Sequence, residues 1–261
     1  MSPLEILAVL GAGLGAGIVI TAVGAGSLIS FPILLAVGLP PVVANASNCV
    51  GLVPGGLSGS WGYRRELAGH GARVRAVAVT SALGALVGAV LLLVMPPGAF
   101  EAVVPVLVLT AAFLVGVQPL VSRWLRRRAA RRTAPEAWPA RDRRGLPPAL
   151  VGASTVMGVY GGYFGAAQGV VLLAFLALGL DEHLQVINGL KNVAVLTANV
   201  AGSVVFVLAA PLDWAVVGLV AVGSVVGGWI GAHIGRRLPS AVFRTLVVAM
   251  GLVVGLRLLL W

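Results

Sequence analysis

Residues 84–89 read Gly-Ala-Leu-Val-Gly-Ala and residues 227–232 read Gly-Gly-Trp-Ile-Gly-Ala, one small-residue pattern repeated 143 positions later. Carried outward at that spacing without a gap, the chain falls on itself. Gly15 meets Gly158, Gly26 meets Gly169, Asn45 meets Asn188, Gly59 and Ser60 meet Gly202 and Ser203, Pro96 meets Pro239 and Phe100 meets Phe243. The protein is two related halves, and long apolar segments fill each of them. Glycine-broken, duplicated apolar halves are the sequence signature of a secondary transporter. The spacing of 84–88 and 227–231 suits close packing of helices.

Composition fixes the solvent. With 59% apolar residues, 10% charged residues and a mean hydropathy of +1.03, the chain reads as an integral membrane protein. Apolar runs of span length lie near 44–62, 76–95, 102–121, 185–210, 214–235 and 244–261. All are expected to be helical, because lipid offers the backbone no other partner. Met1 to Leu10 lack the basic start of a cleavable leader, so the N-terminus is read as retained. The expected fold is all-α: two homologous halves in an inverted pseudo-twofold repeat, with about eight or more transmembrane or re-entrant helices. Residues 1–121 form the first membrane repeat, 122–147 an arginine-rich cytoplasmic linker, and 148–261 the second repeat.

The net charge of +10 resides in connections at 64–75, 123–144 and 236–244. That is the pattern of basic cytoplasmic loops rather than of a nucleic-acid surface. It implies the cell membrane, with lipid as one partner and no nucleic acid. Cys49, the single cysteine, excludes a disulfide within the chain.

Charge also sets the relation between the halves. Arg64, Arg65, Arg73 and Arg75 correspond in half two to the acidic stretch Ala210-Pro211-Leu212-Asp213, while Met95 to Glu101 correspond to a region bounded by Arg237 and Arg244. Equivalent loops therefore face opposite sides. This is met when segments 4–38 and 147–180 each enter and return to one side, as a re-entrant hairpin or as two tilted passes. Glycines at 11, 13, 15, 17, 24 and 26, and at 158, 161, 162, 165 and 169, stand where such hairpins turn.

At these residues the chain resembles the TauE/SafE-type sulfite exporters, the TSUP anion permeases, over nearly its whole length. The resemblance rests on Gly24-Ala25-Gly26-Ser27-Leu28-Ile29-Ser30-Phe31-Pro32 and Ala44-Asn45-Ala46-Ser47-Asn48. In the second half it rests on Gly161 to Gly169, Asn188-Gly189-Leu190-Lys191-Asn192 and Gly227 to Ala232. It implies a transporter of sulfite, organosulfonates such as sulfoacetate, or other small sulfur anions, bound near the midplane between the repeats. The chain departs from the family pattern at Ala166-Ala167-Gln168, where a run of glycines is usual.

Holding an anion requires positive potential, which half-helix N-termini supply. Ser27 with Gly26, and Gln168 with Gly169, are therefore candidate binding residues. Lys191 is the only lysine. On a helix beginning near residue 184 it lies ~10 Å deep, and an ionisable group there is either functional or snorkelling toward the interface. Asn188, Asn192 and Asn199 share its side as a polar stripe, to be read as binding surface or as a hydrogen-bonding seam. Asn45 and Asn48 are the matching positions in half one. Tyr163, with Tyr160, either hydrogen-bonds substrate or packs. Asp181, Glu182 and His183 read as a solvated loop or a proton-coupling group, and His233 as an interfacial cap.

All eight acidic residues fall at ends or in loops, which argues against a cation antiporter. No nucleophile, metal cluster or acid–base pair marks an enzyme, and no cofactor is expected. An anion channel of the same fold, a carrier of small carboxylates and a partner-binding membrane protein are the alternatives. Gly-x-x-x-Gly packing leaves a homo-oligomer open.

Overall fold

A computed structural model of the chain describes residues 1–131, 145–233 and 240–260. Among them are ten helices and no strand. Half one holds α1 (Pro3–Ala22), α2 (Ser27–Ala36), α3 (Pro41–Trp61), α4 (Gly71–Val94) and α5 (Pro97–Arg131). Half two holds α6 (Pro148–Tyr163), α7 (Gln168–Gly179), α8 (Leu184–Ala209), α9 (Trp214–His233) and α10 (Ser240–Leu260). Residues 132–144 of the arginine-rich linker, together with Arg236, Arg237 and Pro239, lie outside the described residues.

Local chemistry sets several helix ends. The Ser2 hydroxyl accepts from the Glu5 N–H while the Glu5 carboxylate accepts from the Ser2 N–H, which closes a capping box on α1. Asp213 Oδ1 accepts from the Ala215 and Val216 N–H groups, both at 3.0 Å, and starts α9. Prolines open α1, α3 and α6, where a missing N–H costs nothing.

Among the described residues, five helices are long and apolar enough to cross a membrane: α1, α4, residues 98–120 of α5, α8 and α9. Large aliphatics such as Leu83, Val87, Val90 and Val94 lie exposed along α4, a face suited to lipid and not to water. The 21 residues of α3 fall short on hydropathy because they carry Asn45, Ser47, Asn48, Ser58 and Ser60. That helix packs against α8, α9, α1 and α2, where polar groups find partners away from lipid.

The repeat reappears in the helices, with one correction to its register. Pro41 and Leu184, Gly71 and Trp214, and Pro97 and Ser240 start equivalent helices 143 residues apart. The hairpins preceding them are related at 141, since α1 and α6 end at Ala22 and Tyr163, and α2 and α7 begin at Ser27 and Gln168. The shift is absorbed because α7 has 12 residues and α2 has 10. Gly17, rather than Gly15, is thus the structural counterpart of Gly158. A Cβ on Gly17 would strike Ser224 of α9, and one on Gly158 would strike Ser81 of α4, its repeat mate.

Contacts fix the helix directions. In the first hairpin Gly15 lies against Ile29, and in the second Gly161 lies against Gln168 and Gly179 against Leu150. Each hairpin therefore doubles back beside itself, its second arm only ~15 to 18 Å long at 1.5 Å per residue. The first arm α1 runs parallel to α9, with Gly13 on Val220, Gly17 on Ser224 and Gly231 on Ile18. Reciprocally, α6 runs parallel to α4, with Gly158 on Ser81 and Gly162 on Ala85. The Gly-x-x-x-Gly pairs at 84–88 and 227–231 are the close-packing surfaces of these two contacts. Helix α3 is parallel to α9 and antiparallel to α8, and α5 is antiparallel to α10. One end of the bundle thus collects the α3–α4 and α7–α8 connections, the last turns of α5 and the end of α9.

Candidate functional site

The two hairpins meet at their tips. Gly24, in the left-handed region at φ 89°, opens the turn between α1 and α2, a conformation that glycine adopts without steric cost. Its carbonyl accepts from the Gly169 N–H at 3.1 Å, and a Cβ on Gly169 would lie 2.7 Å from the Gly24 Cα. A Cβ on Gly26 would meet Ala16 and Ile20 of its own hairpin. Both candidate glycines thus have backbone or side-chain packing partners. In the second tip Ala167 is left-handed at φ 60° without being glycine. Phe31 of α2 stands edge-on to Phe164 at 5.3 Å, tying the tips together.

Breaking a helix leaves carbonyls without partners at its C-terminal end, where the dipole is negative. In α1 the Val19 carbonyl takes the Val23 and Gly24 N–H groups. Lys191 Nζ of α8, fully buried, donates to the Thr21 carbonyl at 3.1 Å. In α6 the Tyr160 carbonyl takes the Phe164 and Gly165 N–H groups, and Asn45 Nδ2 of α3 donates to the Tyr163 carbonyl at 3.0 Å. Each broken helix is therefore held at its carbonyl end by a donor from the other half. In one case the donor is a cation and in the other a neutral amide.

Around these contacts lie two polar clusters with different balances. In the first, Cys49 Sγ lies 3.6 Å from the Asn199 carbonyl, 3.8 Å from Asn199 Oδ1 and 3.8 Å from Ser203 Oγ. With Asn45 bonded, the orphan there is the side-chain oxygen Oδ1 of Asn48. The antiparallel run that sets Cys49 opposite Ser203 and Gly56 opposite Leu196 also brings Ser60 level with Asn192. In this second cluster Thr21 Oγ1, Ser60 Oγ and Asn192 Nδ2 are buried and unpaired beside Lys191. Three neutral donors there lack acceptors, the ammonium has only the neutral Thr21 carbonyl, and no Asp or Glu is buried among the described residues. The complement of such a cluster is an anion.

The remaining candidates occupy other places. Gln168, fully buried, lies against Gly161 within its own hairpin and makes no hydrogen bond. Ser27 is buried as the first residue of α2, the structural counterpart of Gln168. Asn188 is half-buried on α8. The Tyr163 ring packs edge-on to Phe100 at 5.6 Å and its hydroxyl donates to Met95 sulfur. Tyr160 donates to the Ala166 carbonyl at 2.6 Å inside the second tip.

At the arginine-bearing end, Glu182 of the α7–α8 connection pairs with Arg73 of α4 and lies 3.4 Å from His70 Nε2. Partial burial pushes the Glu182 carboxyl up, but the hydrogen bond and charge of Arg73, with His70 beside it, outweigh this and hold it below the usual range. What reads in the sequence as a solvated loop is an ion-paired joint between the halves.

The family model for the sulfite exporter TauE/SafE matches residues 9–258. The chain belongs to the TauE/SafE family. It is 25% identical over 252 residues to the probable membrane transporter protein YfcA of Escherichia coli K12, covering 94% of this chain and 86% of that one. A probable membrane transporter protein of Haemophilus influenzae is 26% identical over 236 residues, covering 87% and 84%. The probable membrane transporter protein ORF9 of a Sinorhizobium species is 24% identical over 254 residues, covering 94% and 88%. No solved structure matches the chain. This TauE/SafE member is therefore a probable membrane transporter, and two residues near its lysine, Thr21 and Ser60, escape a reading of the sequence alone. Ser60 carries a signal in its repeat mate Ser203, but Thr21 has none.

Proposed function

We propose that this protein is a secondary carrier of small sulfur-containing anions, sulfite or organosulfonates, in the cell membrane. The observation that carries the proposal is the fully buried Lys191, bonded to the Thr21 carbonyl of α1, with the unpaired donors of Thr21, Ser60 and Asn192 on the same three helices. A lone buried cation is costly without a counter-charge, and here the counter-charge is the cargo. A sulfite or sulfonate head offers three oxygens to these donors, whereas a carboxylate offers two. The anion then sits between α8 of one half and α1 and α3 of the other, near the tips. Motion of one half against the other exposes it to each side in turn.

An inverted repeat supports this reading. Helices α1 and α3 run with α9 and against α8, while their counterparts α6 and α8 run with α4 and against α3. The hairpins return to their starting side, so three passes remain in each half, an odd number. All connections bearing arginine clusters then face the cytoplasm, with both chain ends outside. Counterflow into proteoliposomes tests the function: labelled sulfite accumulates against unlabelled sulfite inside, and sulfonates compete more strongly than acetate. Absence of counterflow, or equal uptake by Lys191→Ala, would overturn the reading.

A further inference from the structure

The Lys191 ammonium already has a ligand within the protein, and that ligand lies beside the turn between α1 and α2. Thr21 is the penultimate residue of α1, and the left-handed Gly24 turn follows directly. Its carbonyl is at the negative end of the α1 dipole, so it presents to Lys191 a partially negative acceptor oxygen, weaker than an oxygen of an anion. The contact joins α8 of half two to α1 of half one. Parting it loosens one half from the other at the hairpin tip.

Resting on the carrier reading above, we propose that the Thr21 carbonyl is a resident counter-ligand of Lys191 and that an incoming oxyanion displaces it. Loading then frees the end of α1, while the Asn45 bond to the Tyr163 carbonyl keeps the second hairpin in place. A full negative charge outcompetes a helix-end carbonyl for an ammonium. A neutral amide such as Asn45 has no comparable preference, and only the first hairpin answers to the cargo. The unpaired Thr21 hydroxyl is placed to follow the anion after its carbonyl is released. The device ties the carrier's movement to its loading. The empty site is latched by its own backbone, and the filled site is not.

Because Lys191 is the only lysine, protein carrying 15Nζ-lysine and 13C-carbonyl threonine isolates this one contact by dipolar recoupling in the solid state. The full-length protein in lipid is measured empty and with sulfite as the probe, with binding followed separately by calorimetry. The expected result is Lys191–Thr21 dephasing in the empty protein that is lost when sulfite fills the site. Dephasing that persists at saturating, calorimetrically verified sulfite would overturn the displacement and leave the binding site intact. Dephasing absent from the empty protein would overturn it as well. Failure of sulfite to bind at all would remove the site reading and this inference with it. Lys191→Asn, which places the repeat-equivalent amide of Asn48 at this position, keeps the variant foldable. It is expected to abolish any sulfite-dependent change in hydrogen exchange at residues 22–28, and a wild-type response in that variant would overturn the proposal.

Discussion

Gly169→Ala places a methyl group where the backbone of the opposite hairpin now lies. The new Cβ would sit 2.7 Å from the Gly24 Cα and 2.9 Å from its carbonyl oxygen. Carbon atoms pack at about 3.5–4.0 Å, so the tips must part by about 1 Å. Overpacking of this kind costs about 1–3 kcal/mol. Loss of the 3.1 Å bond from the Gly169 N–H to the Gly24 carbonyl adds about 1 kcal/mol. The preference of α7 for alanine over glycine offsets about 1 kcal/mol. The net expectation is a destabilisation of about 1–3 kcal/mol. At roughly 2–4 °C per kcal/mol for a chain of this size, the melting temperature falls by about 2–12 °C. Cys49 is the single thiol and is buried, so a maleimide dye that fluoresces on reaching it reports unfolding directly. Gly11→Ala is the control, since a Cβ there meets nothing within 4 Å, and its melting temperature holds or rises slightly. An unchanged or raised value for Gly169→Ala would refute the tip-to-tip contact.

Three further outcomes are expected. Ala167→Gly relieves a left-handed residue worth about 1–2 kcal/mol and gives up roughly 0.8 kcal/mol of methyl burial; the same dye assay should register a rise of up to about 5 °C, and a fall would show that the Ala167 methyl matters more than its backbone strain. Lys191→Ala should lower sulfite affinity at least ~100-fold and Ser60→Ala about 10-fold, the latter being one hydrogen bond to a charged group, both read by calorimetry on folded protein. The Glu182 carboxyl is depressed in the folded protein, so its contribution is present above the unfolded value of about 4.3 and disappears as pH falls through the lower folded value. Glu182→Gln should therefore flatten the loss of stability on acidification below about pH 5, followed by circular dichroism; an unchanged profile would remove the joint's role.

How far the sequence was legible depended on what each feature is made of. Helical class followed from hydropathy alone, and the positions Pro41, Gly71 and Pro97 recur as helix starts at the spacing read from Gly84 and Gly227. The hairpins slipped by two residues because glycine is frequent enough there to match Gly15 with Gly158 by composition, while the packing against Ser224 and Ser81 selects Gly17. Lys191 was conspicuous as a charge in an apolar helix. The Thr21 carbonyl opposite it was not, because every residue has a carbonyl and only the break at Gly24 leaves this one open. Ser60 and Asn192 could be placed on α3 and α8, but their common level depends on an antiparallel register between helices from different halves. The pairing of Glu182 with Arg73 and His70 is likewise a tertiary fact. Each partner alone reads as an interfacial charge.

The two halves build nearly the same frame, and the difference between their polar clusters lies in a few side chains. Where half one places Asn48 and Cys49, half two places Lys191 and Asn192. With a cysteine between Asn199 and Ser203 the first cluster leaves an acceptor, the Asn48 side-chain oxygen, rather than a donor unpaired, and a neutral amide is sufficient to hold the carbonyl end of α6. With lysine and asparagine the second cluster has more donors than its surroundings can satisfy. A strictly symmetric pair would bind equally on both sides of the hairpin tips, and an anion would gain nothing in electrostatic energy by passing from one to the other. Placing the single cation on one side only gives the path an uneven profile. Because its resident partner is a backbone carbonyl rather than a carboxylate, the ammonium is held without being neutralised. On the proposed carrier reading, a carboxylate there would compete with the cargo at full charge and close the site to it, so that reading requires the absence of a buried Asp or Glu found among the described residues if one lysine is both to bind an anion and to let it go.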